Sequence, residues 1–306
     1  MANYPNQSPI PDIFRDIDIV ANTFFNKYLP EEETKPMTEK EYNEIQAIRR
    51  SDLLKIRRSP AYYWWAKNNP EDAYDPSPAQ IFGSAAHKYI LEWSHFEDEY
   101  ALAPNVDKRT KAGREEWEAF REANEGKTVI TTDDLDKLRL MQEAICEHKC
   151  SNGLEAKDYL RGTIETPIFW TDPETGVECK IRPDVVAMID GRPIIVDYKT
   201  VSSCDERSFK AECRKFGYKI QAGMYTEGFA LTHFAEVGFA FVCQEKTPPY
   251  AVRVFNCGPD FIEQGNRQFH ELLRQYKQCC DEGFWPGYAD GFLDADPWED
   301  PAEEEL

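Results

Sequence analysis

The sequence lacks any apolar run near the ~20 residues that a membrane-spanning helix needs. It also lacks an N-terminal basic segment followed by an apolar one, which is the pattern of a secretory signal. Both absences argue against a membrane protein and against a secreted one. We therefore expect an intracellular, cytoplasmic protein without a membrane partner.

Paired cysteine motifs are also missing. The chain has nine cysteines, an odd number at irregular spacing, and contains no Cys-x-x-Cys. This usage argues against a disulfide framework and agrees with a reducing compartment. The spacing Cys146-x-x-x-Cys150 and the pair Cys279-Cys280 are weak metal signals, so we expect buried or surface thiols and no iron–sulfur cluster.

Positive charge is scarce as well. Lysine and arginine total 36 against 56 acidic residues, for a formal net charge of −20. The segment 294–306 contributes seven acids and no base, which is typical of a solvated, disordered tail. The alternative is a tail that competes with nucleic acid for a basic cleft.

Hydrophobic periodicity predicts three regions: a poorly ordered arm at 1–40, a single domain at 41–290, and an acidic, disordered tail at 291–306. The domain divides into a helical part, 41–160, and a sheet core, 161–290. The predicted helices are 51–56, 76–93, 110–125, 132–148, 203–214, 218–231 and 258–281. The predicted strands are 164–170, 177–186, 185–189, 193–196, 237–243 and 250–255. This order predicts an α/β fold with a central mixed sheet flanked by helices.

The strongest local signal is a hairpin. Val185–Ile189 and Pro193–Val196 are strand-like, and Asp190-Gly191 between them is typical of a two-residue turn. That turn sets Asp184 directly opposite Asp197. Facing residues of an antiparallel pair point to the same side of the sheet, with β-carbons roughly 5 Å apart.

Two facing carboxylates destabilise a sheet unless a positive charge lies between them. Hard divalent cations prefer carboxylate oxygens, so a metal is the obvious partner for Asp184 and Asp197. Lys199 lies two residues beyond Asp197 and shares its face of the strand. The alternative is a surface hairpin with an incidental charge cluster. The apolar run Pro193–Val196 favours a buried central strand. Charged side chains in such a strand need an oppositely charged partner or have a functional role.

Other candidates depend on proximity that the sequence does not give. We expect Glu165 to open the strand before the hairpin, where it could reach the metal or simply be solvated. His87 lies in a helix rich in small residues, and a packing role is the alternative to ligation. Tyr218, Gln221 and Tyr225 share a helix face. Gln221 could position a phosphate or a water, or be a surface residue.

Asp184, Asp197-Tyr198-Lys199 and Gln221-x-x-x-Tyr225 together resemble the PD-(D/E)xK nuclease superfamily, with Pro183-Asp184 as the first two letters. The Gln-x-x-x-Tyr helix is typical of its RecB-like branch. Across residues 45–290 the chain further resembles the RecE (exonuclease VIII) C-terminal nuclease family of phages and prophages. The resembling segments are Ser51–Leu54, Ser59–Tyr62, Gly83–His87, Lys108–Arg114, Gly176–Asp184, Gly217–Gln221 and Trp285–Tyr288.

The resemblance implies a PD-(D/E)xK core with a helical N-terminal part, and it implies roles for named residues. The implied metal ligands are His87, Asp184, Asp197 and the carbonyl of Tyr198. The implied catalytic residues are Glu165, Asp184, Asp197, Lys199, Gln221 and Tyr225. In this scheme Lys199 orients or deprotonates the attacking water. Mg²⁺ is the expected cofactor, with Mn²⁺ as a substitute.

The implied function is a Mg²⁺-dependent 5′-to-3′ exonuclease acting on double-stranded DNA ends. It would leave 3′ single strands for an annealing protein in phage-type recombination, inside a bacterial host. The alternatives are a structure-specific or single-strand nuclease on the same site, and a catalytically silent DNA-binding protein. The acidic charge is unfavourable for DNA binding. Basic clusters at 49–58, 108–114 and 210–219 could line the channel of a homo-oligomeric ring, which the resemblance also implies.

Overall fold

The computed structural model describes residues 37–73 and 76–288. The predicted tail and residues 1–36 of the predicted arm lie outside the described residues. The helices are α1 Glu39–Glu44, α2 Arg50–Arg58, α3 Pro60–Asn68, α4 Pro70–Ala73, α5 Pro78–Leu91, α6 Phe96–Glu99, α7 Lys111–Ala123, α8 Thr132–Glu147, α9 Ala156–Tyr159, α10 Glu206–Phe216, α11 Tyr218–His233 and α12 Pro259–Glu282. None of the described helices combines the length and apolar character needed to cross a membrane.

The strands form one central sheet and two small ones. They are β1 Tyr100–Leu102, β2 Thr128–Ile130, β3 Gly162–Ile164, β4 Ile168–Thr171, β5 Glu178–Ile181, β6 Val185–Ile189, β7 Arg192–Val201, β8 Gly238–Glu245 and β9 Val252–Asn256. The central sheet has the order β3-β6-β7-β8-β9, with β7 and β8 parallel and the other pairs antiparallel. β1-β2 and β4-β5 are separate two-stranded sheets. The predicted α/β architecture with a mixed central sheet is therefore confirmed.

Helices cover both faces of the central sheet because its strands alternate apolar side chains between two buried layers. On one face Ile195 and Phe241 pack in a core that includes α2, α11 and α12. On the other face Val196 and Ala240 pack in a core that includes α5 and α8. Each large apolar side chain fully buried in these layers contributes roughly 1.5–3 kcal/mol to stability.

The predicted hairpin has the predicted register. Ile189 pairs with Arg192 and the ladder continues to the pair Val185 and Val196. Asp190 and Gly191 have φ angles of 50° and 75°, the left-handed conformations that a type I′ turn requires at both central positions. Strand β7 extends past the predicted end at residue 196 to Val201, so that Asp197 and Lys199 lie within a central strand.

Two predicted strands are wrong. The segment 164–170 is divided between β3 and β4, which belong to different sheets, and 177–186 is likewise divided between β5 and β6. The first break occurs at Glu165, whose φ of 50° turns the chain out of the strand. Glu165 therefore follows β3 instead of opening a strand. Its N–H donates to the Asp184 carbonyl at 3.2 Å, which places the two breaks side by side.

Candidate active site

The open end of the hairpin brings Asp184 and Asp197 to one edge of the sheet. The Tyr198 N–H donates to Asp184 Oδ2 at 2.9 Å, so the Asp184 carboxylate lies against the backbone next to Asp197. Burial and the nearby Asp184 charge raise the pKa of Asp197. Burial also opposes ionisation of Asp184, but His87 and Lys199 outweigh it and hold the pKa of that carboxyl below its usual value.

The Asp197 carboxylate has two side-chain partners. Lys199 forms an ion pair with Oδ2, and the Gln221 amide donates to Oδ1. Asp197 is only 2% exposed and Gln221 3%, whereas the Lys199 side chain keeps 22% of its surface exposed. The buried amide thus fixes the carboxylate from behind, and the ammonium faces the open side of the site.

Helix α5 brings His87 to the other carboxylates. The helix begins with a capping box between Ser77 and Gln80. A methyl group on Gly83 would lie 3.1 Å from the Thr200 side chain, so this glycine permits close approach of α5 to β7. One turn later, His87 Nε2 lies 3.0 Å from an oxygen of Asp184.

Glu165 completes a group of three ionisable side chains. His87 Nε2 lies 3.6 Å from Glu165 Oε1, and the ligand atoms of His87, Glu165 and Asp184 all lie within 4.8 Å of one another. On the far side of the Glu165 carboxylate, Arg182 Nε lies 2.6 Å from Oε2. Sequence reasoning did not assign Arg182 to the site, although its position directly before Pro183-Asp184 was a usable signal.

Burial and neighbouring charges in this group shift the pKa values of His87 and Glu165. Burial lowers the pKa of His87, but Asp184, Glu165 and Asp197 outweigh that effect and raise it to about 9. Burial and the Asp184 charge raise the pKa of Glu165 to about 7 against the opposing effects of His87 and Arg182. Groups with such shifts in a cleft are candidates for function.

The donor set fits a divalent metal ion. Carboxylate oxygens suit hard cations, and an imidazole nitrogen also suits first-row transition metals. Three carboxylates, those of Glu165, Asp184 and Asp197, converge with two cationic side chains, Arg182 and Lys199. With His87 neutral, the three carboxylates exceed the two cationic side chains by one negative charge, which a bound dication would outweigh.

The two remaining sequence candidates lie at different positions. The Tyr198 side chain points to the face of the sheet opposite to Asp197 and Lys199, where its hydroxyl donates to Gln244 Oε1 at 2.7 Å and its ring centroid lies 6.4 Å from that of His87. Tyr225 lies one turn beyond Gln221 and packs edge-on against Phe239, with ring centroids 6.2 Å apart. Burial, with a contribution from Asp197, raises the pKa of Tyr225.

A cleft of about 1240 Å³ opens over these groups. Its lining includes His87, Glu165 and Lys199. The ring of Tyr218 forms part of its wall, with Lys199 Nζ 5.5 Å and the Arg50 guanidinium 5.8 Å from the ring centroid. Five basic residues line the cleft: Arg50, Lys88, Arg182, Lys199 and Lys246. Six acidic residues do so: Glu39, Glu92, Asp98, Glu99, Glu165 and Glu212.

Comparisons with known proteins give a family and a similar fold. Residues 50–292 match a family described as "PDDEXK-like domain of unknown function (DUF3799)". The fold is similar to the crystal structure of a candidate exonuclease from Eubacterium rectale, with a TM-score of 0.54 and 14% sequence identity. The similarity covers 87% of this chain and 97% of that one. No curated protein matches the chain in sequence.

Proposed function

Because the chain belongs to this family of PDDEXK-like domains, we propose that it is a divalent-metal-dependent nuclease that hydrolyses DNA phosphodiester bonds. The narrower resemblance to the RecE family suggests an exonuclease that acts on double-stranded ends. The expected cofactor is Mg²⁺, for which Mn²⁺ can substitute.

The observation that carries the proposal is the convergence of two sets of side chains at the base of one cleft. His87, Glu165 and Asp184 form a potential metal-binding set. Asp197 and Lys199 form a buried carboxylate–ammonium pair beside it. Backbone contact between Tyr198 and Asp184 joins the two sets, so that a metal ligand set and a cationic group face the same space.

Phosphodiester hydrolysis needs an activated water and positive charge near the phosphoryl oxygens. Asp184, His87 and Glu165 would hold a divalent ion, which would supply Lewis acidity and lower the pKa of a bound water. Lys199 presents an ammonium on the open side of Asp197, where it can orient the water or stabilise developing charge. Asp197 keeps that ammonium in place, and Gln221 keeps Asp197 in place.

The finer features of the proposal come from the family resemblance. They are 5′-to-3′ polarity, release of 3′ single strands to an annealing protein in phage-type recombination, and a homo-oligomeric ring around the DNA. A ring would be compatible with the negative total charge of −20, since it can confine attraction for DNA to its channel while the outer surface stays acidic.

The decisive experiment compares end-labelled linear duplex DNA with circular duplex DNA, each with Mg²⁺ and then with EDTA. We expect loss of the linear substrate with Mg²⁺, survival of the circle, and no reaction in EDTA. Asp197→Asn should reduce the rate by at least about 100-fold, because it removes the charge that holds Lys199. Cleavage of circular DNA would replace the exonuclease proposal with an endonuclease.

The matched control is Asp190→Asn, the same chemical change in the exposed turn of the same hairpin. Asparagine tolerates the left-handed backbone of that turn, so we expect activity close to that of the unmodified protein. If Asp197→Asn digests DNA as fast as Asp190→Asn does, the proposed site is not the nuclease centre.

A further inference from the structure

A second group of ionisable side chains lies outside the cleft, where the β4–β5 turn meets α11 and α12. Asp172 follows β4, Glu227 is on α11 and His270 is on α12. Their ligand atoms lie within 4.8 Å of one another. Glu227 is six residues beyond Gln221, about 9 Å along the helix axis, so the group is separate from the candidate active site.

Asp172 is fully buried, and one of its two carboxylate oxygens lacks a hydrogen-bond partner among the described residues. Oδ1 accepts hydrogen bonds from the Thr175 N–H at 2.7 Å and the Thr175 hydroxyl at 2.6 Å. Within the described part of the chain, neither Asp172 Oδ2 nor His270 Nδ1 has a hydrogen-bond partner. The two atoms face each other at 3.9 Å, which is too long for a hydrogen bond. This separation is less than twice the length of a metal–ligand bond, which is about 2.0–2.2 Å, so one ion could bind both atoms.

The other nitrogen of the His270 ring is held in place. Nε2 lies 2.9 Å from Glu227 Oε2, so a proton on Nε2 is donated to that carboxylate. Such a contact orients a metal-binding imidazole and leaves the second nitrogen free as a ligand. No sequence pattern indicated this pairing, because Glu227 and His270 come together through the crossing of α11 and α12.

Glu174 supplies a third oxygen on the solvent side. Its Oε2 lies 3.8 Å from His270 Nδ1, and Arg274 holds the carboxylate through contacts of 2.9 and 3.0 Å. The Glu174 side chain is 51% exposed, which gives an ion a route in. The group contains three carboxylates (Asp172, Glu174 and Glu227), one guanidinium (Arg274) and one imidazole (His270). A dication would neutralise the excess negative charge.

We propose that Asp172 Oδ2, Glu174 Oε2 and His270 Nδ1 form a second divalent-metal site, with Glu227 as the group that orients His270. One imidazole with carboxylates is a donor set that suits Zn²⁺ better than Mg²⁺. A bound ion would fasten the β4–β5 turn to α12. Through Glu227 it would also fix α11, the helix that carries Gln221.

The test uses the full chain with His87→Ala and Asp184→Asn, which remove two of the three side chains in the metal-binding set of the candidate active site. After chelation, the protein is dialysed against Zn²⁺ and the bound metal is measured. We expect one equivalent of Zn²⁺ per chain and a rise in Tm of about 5 °C at 100-fold excess over Kd. Adding His270→Gln should abolish both effects. Glu227→Gln should weaken binding by about 10–100-fold.

His148→Gln is the matched histidine control, since His148 caps α8 elsewhere in the fold, and it should retain the full equivalent. If His270→Gln fails to fold, Asp172→Asn is the second variant, because its remaining oxygen can still accept the Thr175 bonds while the amide nitrogen replaces the ligand. Retention of Zn²⁺ by either variant, or no binding by the parent protein, would overturn the proposal. Since neither readout involves DNA, the proposal of a second metal site can fail while the nuclease proposal stands.

Discussion

At the residue scale, the contact between Gln221 and Asp197 shows why a glutamine is buried in this helix. A buried carboxylate costs stability unless its oxygens are satisfied. Gln221 satisfies Oδ1 and leaves Oδ2 to Lys199. The helix face was recognisable from the spacing of Tyr218, Gln221 and Tyr225. The partner was not, because it depends on how α11 lies across β7.

Gln221→Leu should therefore lower kcat without removing metal binding. The change keeps the side-chain volume but deletes a charge-assisted hydrogen bond of about 1.5–3 kcal/mol. If the bond holds Asp197 and Lys199 in their reactive arrangement, kcat for linear duplex DNA should fall by about 10–100-fold.

Gln278→Leu, on the exposed side of α12, is the matched control and should leave the rate unchanged. The proposed positioning role would be contradicted if Gln221→Leu kept full kcat, or if it altered only the apparent affinity for Mg²⁺.

The pKa of His87 makes a second prediction, on the pH dependence of metal binding. A pKa of about 9 means that the metal-free ring carries a proton at neutral pH. Glu165, with a pKa of about 7, is partly protonated there. A metal that uses these groups must displace their protons, so metal affinity should rise with pH until each pKa is passed, by up to about tenfold per pH unit for each displaced proton.

Isothermal titration calorimetry with Mn²⁺ in buffers of different ionisation enthalpy measures the number of protons released. We expect release between pH 6 and 8, and less of it in His87→Ala. Binding that is independent of pH over this range would exclude His87 and Glu165 as ligands.

At the element scale, the hairpin was predictable and the broken strands were not. The register of β6 and β7 follows from a two-residue turn, which local sequence determines. The break at Glu165 needs a non-glycine residue at φ 50°, a conformation that hydrophobic alternation does not encode. Tertiary contacts with Asp184 and Arg182 hold it there. Strained backbone of this kind is often found at functional sites.

The second group of ionisable side chains was missed for a related reason. His270 lies almost a hundred residues after Asp172 and Glu174 in the chain, and the Pro-Glu-Thr-Gly sequence around Glu174 indicates a turn. Nothing in that pattern distinguishes a turn acid with a buried partner from a solvated one. Conversely, Asp184, Asp197 and Lys199 were found because they are near one another in sequence and fixed by one register.

The crossing of α11 and α12 leads to a prediction on stability. A methyl group on Gly265 would lie 1.9 Å from the Lys219 carbonyl oxygen, and one on Gly223 would lie 2.3 Å from the Asn266 nitrogen. Both clashes are with backbone, which cannot move without separating the helices. Gly265→Ala should thus lower the free energy of unfolding by about 1–3 kcal/mol or more in urea denaturation.

Gly287→Ala, whose added methyl meets open space, is the control for replacing glycine by alanine and should change stability by less than about 0.5 kcal/mol. Equal stability of the two variants would show that the helices tolerate separation. In that case α12 would not fix the position of Gln221.

At the scale of the whole molecule, the question is how a chain of charge −20 would attract DNA, as the proposed function requires. The predicted basic clusters are only partly available. Arg50 lines the cleft but also donates to the Phe216 carbonyl, and Arg57 donates to the Lys215 carbonyl at 2.9 Å. These contacts join α2 to the end of α10. Contacts with DNA phosphates would therefore depend on a small number of cleft cations, among them Lys246.

A small number of phosphate contacts has a measurable consequence. The affinity of a protein for duplex DNA falls with salt in proportion to the number of phosphates it neutralises, with a slope of about −0.9 per contact. In the Asp197→Asn background, in which we expect digestion to be at least about 100-fold slower, Lys246→Ala should reduce that slope by about one. Arg267→Ala, on an exposed part of α12 and paired with Glu263, should leave it unchanged. If both changes reduced the slope equally, DNA would bind to basic residues over the whole surface. The proposal that the cleft binds the substrate would then be contradicted.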